Sequence, residues 1–193
     1  MKADIEIVRR VLLEISPLTD AAVLSIMVHV RPMEFSAGQF LLRAGDRAAN
    51  AFIVVKGLLR EFHLDRDGRQ ATRGFSPEGS LSGSLADLIS GVAAISHIEA
   101  LEPTSTLAIP WVEIDKAAQS DIQWQLLLRR VAERLYVQKV HREHAMLTLT
   151  AAQRLDQFKK AFPSLLNRVP KHAIASYLGI TPVHLSRLSS PSR

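Results

Sequence analysis

The residues best placed to do chemistry lie near the C-terminus, in the stretch Lys171-His-Ala-Ile-Ala-Ser-Tyr-Leu-Gly-Ile-Thr-Pro-Val-His-Leu-Ser-Arg187. The chemistry they suggest is binding rather than bond-making. Ile174 and Leu178 stand one helical turn apart and share a face. Gly179 can take the positive φ that ends a helix. Thr181 can cap a second helix, and Pro182 would occupy its first position, where a missing N–H costs nothing. Ala175 is small enough for a close crossing. Helix, tight turn, helix is the pattern whose second helix enters the DNA major groove. An ordinary pair of packed helices has the same local signals.

Charge separates the two readings. From Thr148 onward there are seven Lys/Arg (Arg154, Lys159, Lys160, Arg168, Lys171, Arg187, Arg193) against Asp156 alone, a balance of +6. The whole chain carries +5, so the first 147 residues carry about −1. The basic excess therefore sits with the two-helix motif, as phosphate neutralisation requires. A soluble basic surface is the plainer alternative.

The elements that must position this stretch fill the rest of the 193 residues. Residues 4–15 read as an amphipathic helix with Ile5, Val8, Leu12 and Ile15 on one face. A second helix spans about Asp20 to Val30. From Arg31 to about Ile109 glycine recurs at 38, 45, 57, 68 and 79, which predicts short strands in a sandwich or roll. Strand candidates are 39–43, 51–55, 58–64, 70–75, 95–101 and 105–109. Asp65-Arg-Asp-Gly68 joins the third and fourth as a hairpin turn. Residues 111–147 contain no Gly or Pro and read as one long helix. Leu128, Val131 and Leu135 give it an apolar seam that Gln138 and Arg142 interrupt. Such a helix suggests a dimer seam, although a core helix wrapped by its own chain has the same pattern. Thr150-Ala-Ala-Gln153 is a capping box for a further helix reaching Ala161. Two domains follow, 1–147 and 148–193, with Leu149-Thr150 as the hinge.

A second candidate site lies inside the glycine-punctuated region. Gly79, Ser82, Gly83 and Ser84 surround a loop that turns into a short helix, where exposed N–H groups can hold an anion. A glycine-rich connection with no ligand is the alternative. His141 and His144 share a helical face, as a metal pair or a solvated polar face would. The chain has no cysteine, which excludes disulfides, thiol catalysis and cysteine-ligated metal clusters. The N-terminus lacks a signal-peptide core, and no apolar run reaches the roughly 18 residues of a membrane span. These features predict a soluble, cytoplasmic protein with no membrane partner. No nucleophile–base–acid constellation stands out; Ser96-His97 lacks an orienting partner, so an enzyme is not expected.

The order of these parts resembles the Crp/Fnr family of bacterial transcription regulators over nearly the whole chain. The matching stretches are Ala37-Gly38 through Gly45-Asp46, Val54-Val-Lys-Gly57-Leu-Leu-Arg60, Asp67-Gly68, Pro77-Glu-Gly79, Ile98-Glu-Ala-Leu-Glu102, and Arg168 through Arg187. The resemblance implies an α+β fold: a cyclic nucleotide-binding-like roll, a long dimer helix and a C-terminal helix-turn-helix. It also implies a cytoplasmic homodimer on a two-fold symmetric promoter site, with RNA polymerase as a further partner. By position in the family motif, Pro182, Val183, Ser186 and Arg187 face the groove. Thr181 and His184 lie near the backbone, and Lys171 and His172 are phosphate candidates. Arg187 is either a bidentate guanine reader or a phosphate contact.

Two departures bear on mechanism. Members that bind cyclic AMP carry a glycine and then a glutamate in the roll's loop, and later an arginine and a hydroxyl residue for the phosphate. Here these positions hold Gly83, Ser84, Ala94 and Ile95, and the base-contacting positions fall near Lys139 and Val140. Nothing there neutralises a phosphate, so no cyclic nucleotide or other cofactor is expected. The roll would bind another small molecule or serve as a scaffold. After Leu188 only Ser-Ser-Pro-Ser-Arg follows, too little for the wing many members carry. The alternative function is therefore a sensor or interaction module that does not bind DNA.

Overall fold

The two faces of one strand explain the roll. Residues Ala51-Phe-Ile-Val54 form an unbroken apolar run in strand β3 (Asn50–Lys56), and all four are buried. Successive strand residues point to opposite faces, so a strand covered on both sides shows no polar alternation. In the computed structural model, which describes residues 2–189, Ala51 and Ile53 join one cluster and Phe52 and Val54 another.

Among the described residues, eight strands make two four-stranded sheets. The others are β1 (Arg31–Phe35), β2 (Phe40–Leu42), β4 (Leu59–Leu64), β5 (Gln70–Ser76), β6 (Leu81–Ser82), β7 (His97–Ala100) and β8 (Thr104–Pro110). Their orders are β1-β8-β3-β6 and β2-β7-β4-β5. In the first sheet β8 pairs with both neighbours, Phe35 opposite Thr104 and Ala51 opposite Ile109. The inner cluster includes Phe35, Phe52, Leu59, Ile98 and Ala100, with Phe35 edge-on to Phe52 at 6.3 Å.

Helices cover the outer face of β3 and β8. They are α1 (Lys2–Leu13), α2 (Asp20–Met27), α4 (Trp111–Ser120) and the start of α5 (Ile122–Thr148); α3 (Leu85–Ser90) lies in the loop after β6. Val8, Leu12, Val23, Ile26, Ile114 and Trp124 meet Ile53, Leu107 and Ile109 there. Each fully buried aliphatic or aromatic side chain contributes about 1.5–3 kcal/mol. The Trp124 indole N–H donates to Ala22 O at 3.3 Å, which satisfies its one polar atom. Past the end of α1, Arg130 donates to Ile15 O at 3.4 Å and Arg134 donates to Glu14 O.

The long helix expected over 111–147 is two helices. Asp121 adopts extended backbone (φ −130°, ψ 120°) between α4 and α5. Its carboxylate accepts from Gln123 N at 2.8 Å, so it caps α5, while Ser120 bonds back to Lys116 O. Ser120 thus donates to a carbonyl of the ending helix and Asp121 accepts an N–H of the next, so a new helix starts without Gly or Pro. Strands β1 and β6 were absent from the sequence expectation. Only Phe35 is buried in β1, and β6 is two residues long, so neither carries a period-2 signal.

The chain divides into two compact units. One uses the chain up to Glu61 and from Phe75 to Leu135; the other uses Phe62–Gly74 and the chain from Tyr136 onward. The second holds the end of α5, α6 (Ala151–Ala161), α7 (Lys171–Leu178), α8 (Pro182–Ser189) and the tip of the β4–β5 hairpin. Its buried residues include Leu155, Phe158, Leu165, Val169, Ile174, Leu178 and Leu185. Phe158, Phe162 and Tyr177 form an aromatic trio with centroids 5.4–6.3 Å apart.

Candidate nucleic-acid interface

Local chemistry builds the two-helix motif as its sequence predicts. At the end of α7, Gly179 is left-handed (φ 67°), and Ile180 N bonds back to Ala175 O at 3.0 Å. This six-to-one closure needs a residue that tolerates positive φ. Thr181 Oγ1 accepts from His184 N at 3.2 Å and caps α8, which begins at Pro182. Ala175 is buried where the motif's helices close. The α6 capping box is also present, with Thr150 and Gln153 bonded reciprocally.

The surface of α8 follows from its inward residue. Leu185 is buried and Leu188 partly so, which turns Pro182, Val183, Ser186 and Arg187 outward. Val183 is 62% exposed, one helical turn from Arg187. His184, Lys171 and His172 are exposed as well. Thr181 is exposed, but its oxygen is committed to the cap. The structure thus gathers Lys171, His172 and the α8 residues in one unit. Arg193 and the other residues beyond Ser189 lie outside the described residues.

One cation of the basic segment has a different use. Arg154 donates from Nε to Leu178 O at 2.9 Å and from Nη1 to Leu149 O at 2.6 Å. It ties the last carbonyl of α7 to the end of α5. Charge counting had placed it in the phosphate-binding surplus. The spacing of Arg154 carries no signal for this, because its partners are backbone oxygens.

The candidate effector loop is filled from within. Ser82 sits in β6 opposite Phe52, and Gly79 N bonds to Val54 O at 2.9 Å. Gly83 (φ 143°) passes 3.5 Å from Ala51 by its would-be Cβ. Ser84, at the start of α3, is buried; so is Ala94, whose N–H goes to Asp46 O. Ile95 is 70% exposed. The hydroxyl facing Ser84 belongs instead to Ser96, at 3.0 Å, and Ser96 Oγ also lies 2.9 Å from Asp87 Oδ2. Ser96 has one proton. With that proton directed at Asp87 Oδ2, the hydroxyl of Ser84 donates to Ser96 Oγ. Asp87 is 4% exposed and stands in the first turn of α3. The folded loop therefore places a carboxylate side chain within its own hydrogen-bond network. Sequence reading named Ser96 but missed Asp87 as its partner, since the two become neighbours only when the loop folds back.

The roll also buries an ion pair, Arg60–Glu99 at 3.0 Å, with the guanidinium side chain 1% exposed. Burial lowers the Arg60 pKa from its usual value, and the hydrogen bond and charge of Glu99 oppose that.

Residues 32–121 match the family model of the cyclic nucleotide-binding domain. The transcriptional activator protein Anr of Pseudomonas protegens is 30% identical over 130 residues, 66% of this chain and 49% of that protein. Its counterpart in Pseudomonas aeruginosa is 28% identical over 173 residues, 82% of this chain and 68% of that one. The alignment with the first spans about half of that protein's length. Among solved structures, FixK2 from Bradyrhizobium japonicum superposes with a TM-score of 0.71 over 82% of each chain, at 24% identity. Fold and motif together define a cyclic nucleotide-binding-type roll carrying a helix-turn-helix. The chain is similar to transcription regulators of the Crp/Fnr type.

Proposed function

We propose that this protein is a DNA-binding transcription regulator that acts as a homodimer on a two-fold symmetric promoter site. The observation that carries the reading is the surface of α8, where Arg187, Val183 and Ser186 are exposed while Leu185 is buried beneath them. Arg187 reads a base edge, and Lys171 and His172 hold phosphates. The dimer forms along α5, where Tyr136, Val137 and Val140 are 42–68% exposed, an unusual apolar display for a solvated helix. Two reading helices then meet successive major grooves about one DNA turn apart. Both similar activators named above are transcription factors by description. RNA polymerase is the partner this role implies, and the cytoplasm its location. No helix among the described residues is long and apolar enough to cross a membrane.

The roll works without a cyclic nucleotide in this reading, because Ser84, Ala94 and Ile95 offer no cation to a phosphate and Asp87 adds a carboxylate to the same loop's hydrogen-bond network. The test is fluorescence anisotropy on a pool of random duplexes at two salt concentrations, with and without cyclic AMP. Binding should fall steeply with salt, select a palindrome and ignore cyclic AMP. Arg187→Ala should weaken the selected site by about 1–3 kcal/mol. Absence of salt-sensitive binding at either salt concentration would sink the regulator reading and leave the interaction module.

A further inference from the structure

Arg142 is a cation that the sequence places in the apolar seam of α5, and its partners explain it. Its guanidinium donates to Thr72 O at 2.9 Å and to Tyr177 O at 3.0 Å, and lies 4.3 Å over the Tyr177 ring. Thr72 belongs to β5, the outer strand of its sheet, and Tyr177 to α7. Ser176, beside Tyr177, completes the link. Its hydroxyl accepts from Thr72 N at 2.8 Å and donates to Gln70 O. Residues 70 and 72 are two apart and so direct their outward groups to the same side of the strand. An outer strand presents N–H and C=O groups that need covering. Here α5 and α7 cover them.

The same contacts act on the helix-turn-helix. The last carbonyls of a helix lack partners within it. Arg142 takes Tyr177 O and Arg154 takes Leu178 O, so both carbonyls before the Gly179 turn are held by cations from other helices. The turn sets where α8 points. We infer that Arg142 and Ser176 are positioning residues for DNA reading: they clamp the first helix of the motif to the free edge of the β4–β5 hairpin, and Arg142 itself contacts no phosphate. The inference rests on the DNA-binding reading for its consequence, and on the hairpin geometry alone for the clamp. A planar guanidinium can serve two carbonyls and a ring face together, which an ammonium cannot.

Two measurements on the full chain test it. The first is hydrogen exchange without DNA. Ser176→Ala should speed exchange of the Thr72 amide about three- to tenfold, the scale of one neutral hydrogen bond. Arg142→Ala should expose the amides of the Gly179 turn. Tryptophan fluorescence from Trp111 and Trp124 checks that the roll stays folded. The second is DNA affinity against salt. Arg142→Ala and Arg142→Lys should weaken binding alike, with the slope of log K on log salt unchanged. A phosphate contact would instead lower the slope by about 0.9 in Arg142→Ala and be restored by lysine. Unchanged Thr72 exchange in Ser176→Ala, or wild-type affinity in Arg142→Lys, would overturn the assignment. Should the wild-type chain bind no DNA, the regulator reading fails, while the exchange data still decide the clamp.

Discussion

Gly179 joins the two helices of the reading motif, and replacing it separates two costs that the structure places at one atom. Its φ of 67° lies in the left-handed region, and an added Cβ would fall on Met146 Cε. Gly179→Ala therefore meets a backbone cost of about 1–2 kcal/mol for an L residue in that region. The collision is cheaper. Only the tip of a flexible methionine stands in the way, Met146 is 41% exposed, and its Sδ is already 3.5 Å from the added atom. The backbone cost should dominate. Urea unfolding of the second unit, followed by circular dichroism, should show Gly179→Ala destabilised by about 1–2 kcal/mol. Gly179→Asn should lose less, since asparagine tolerates this conformation. Met146→Ala removes the collision but not the strain, so the double variant should keep most of the loss. Recovery of stability in that double variant, or a loss below about 0.5 kcal/mol in Gly179→Ala, would refute the strain account.

Other outcomes follow from the roll. Gly57→Ala should cost more than Gly179→Ala, beyond about 3 kcal/mol by thermal unfolding, because its Cβ would meet Pro103 O and Thr104 Cα at 2.7 Å and backbone cannot swing aside. Glu99→Gln should cost about 3–5 kcal/mol by leaving Arg60 buried without its carboxylate, whereas Arg60→Met should cost clearly less in the same assay. Ser96→Ala should lose about 1.5–3 kcal/mol, the value of a hydrogen bond to a buried charged group. Millimolar cyclic AMP should leave the melting temperature unchanged, since a ligand at 100 times its Kd would add about 2.7 kcal/mol, and a clear rise would show that the loop still receives a phosphate.

Residue type and short spacing were enough to predict the motif that matters most. The Gly179 turn, the Thr181 cap, Pro182 at the start of α8 and the Thr150–Gln153 box are contacts between residues five or fewer apart, so their chemistry is present in the chain before it folds. The central strands of the roll were visible for a related reason: β3 shows as an apolar run between Gly45 and Gly57, and β8 carries the buried run Leu107-Ala-Ile109. The Asp121 break was also local, but helical periodicity continued on both sides and hid it.

What only the tertiary structure decided are the partnerships that no local pattern names. Asp87 and Ser96 meet because the loop folds back, which places a carboxylate within the hydrogen-bond network of the loop read as a candidate anion site. Arg142 and Arg154 bind main-chain oxygens, and every residue type has one, so sequence cannot name the partner. The hairpin tip joins the helical unit for the same reason: Gln70 and Thr72 are held through their backbones, by a serine more than 100 positions away. Local preference determined which elements form and where the reading helix begins. Only the folded chain, by choosing which backbone groups each arginine and serine satisfies, determined what holds that helix in place.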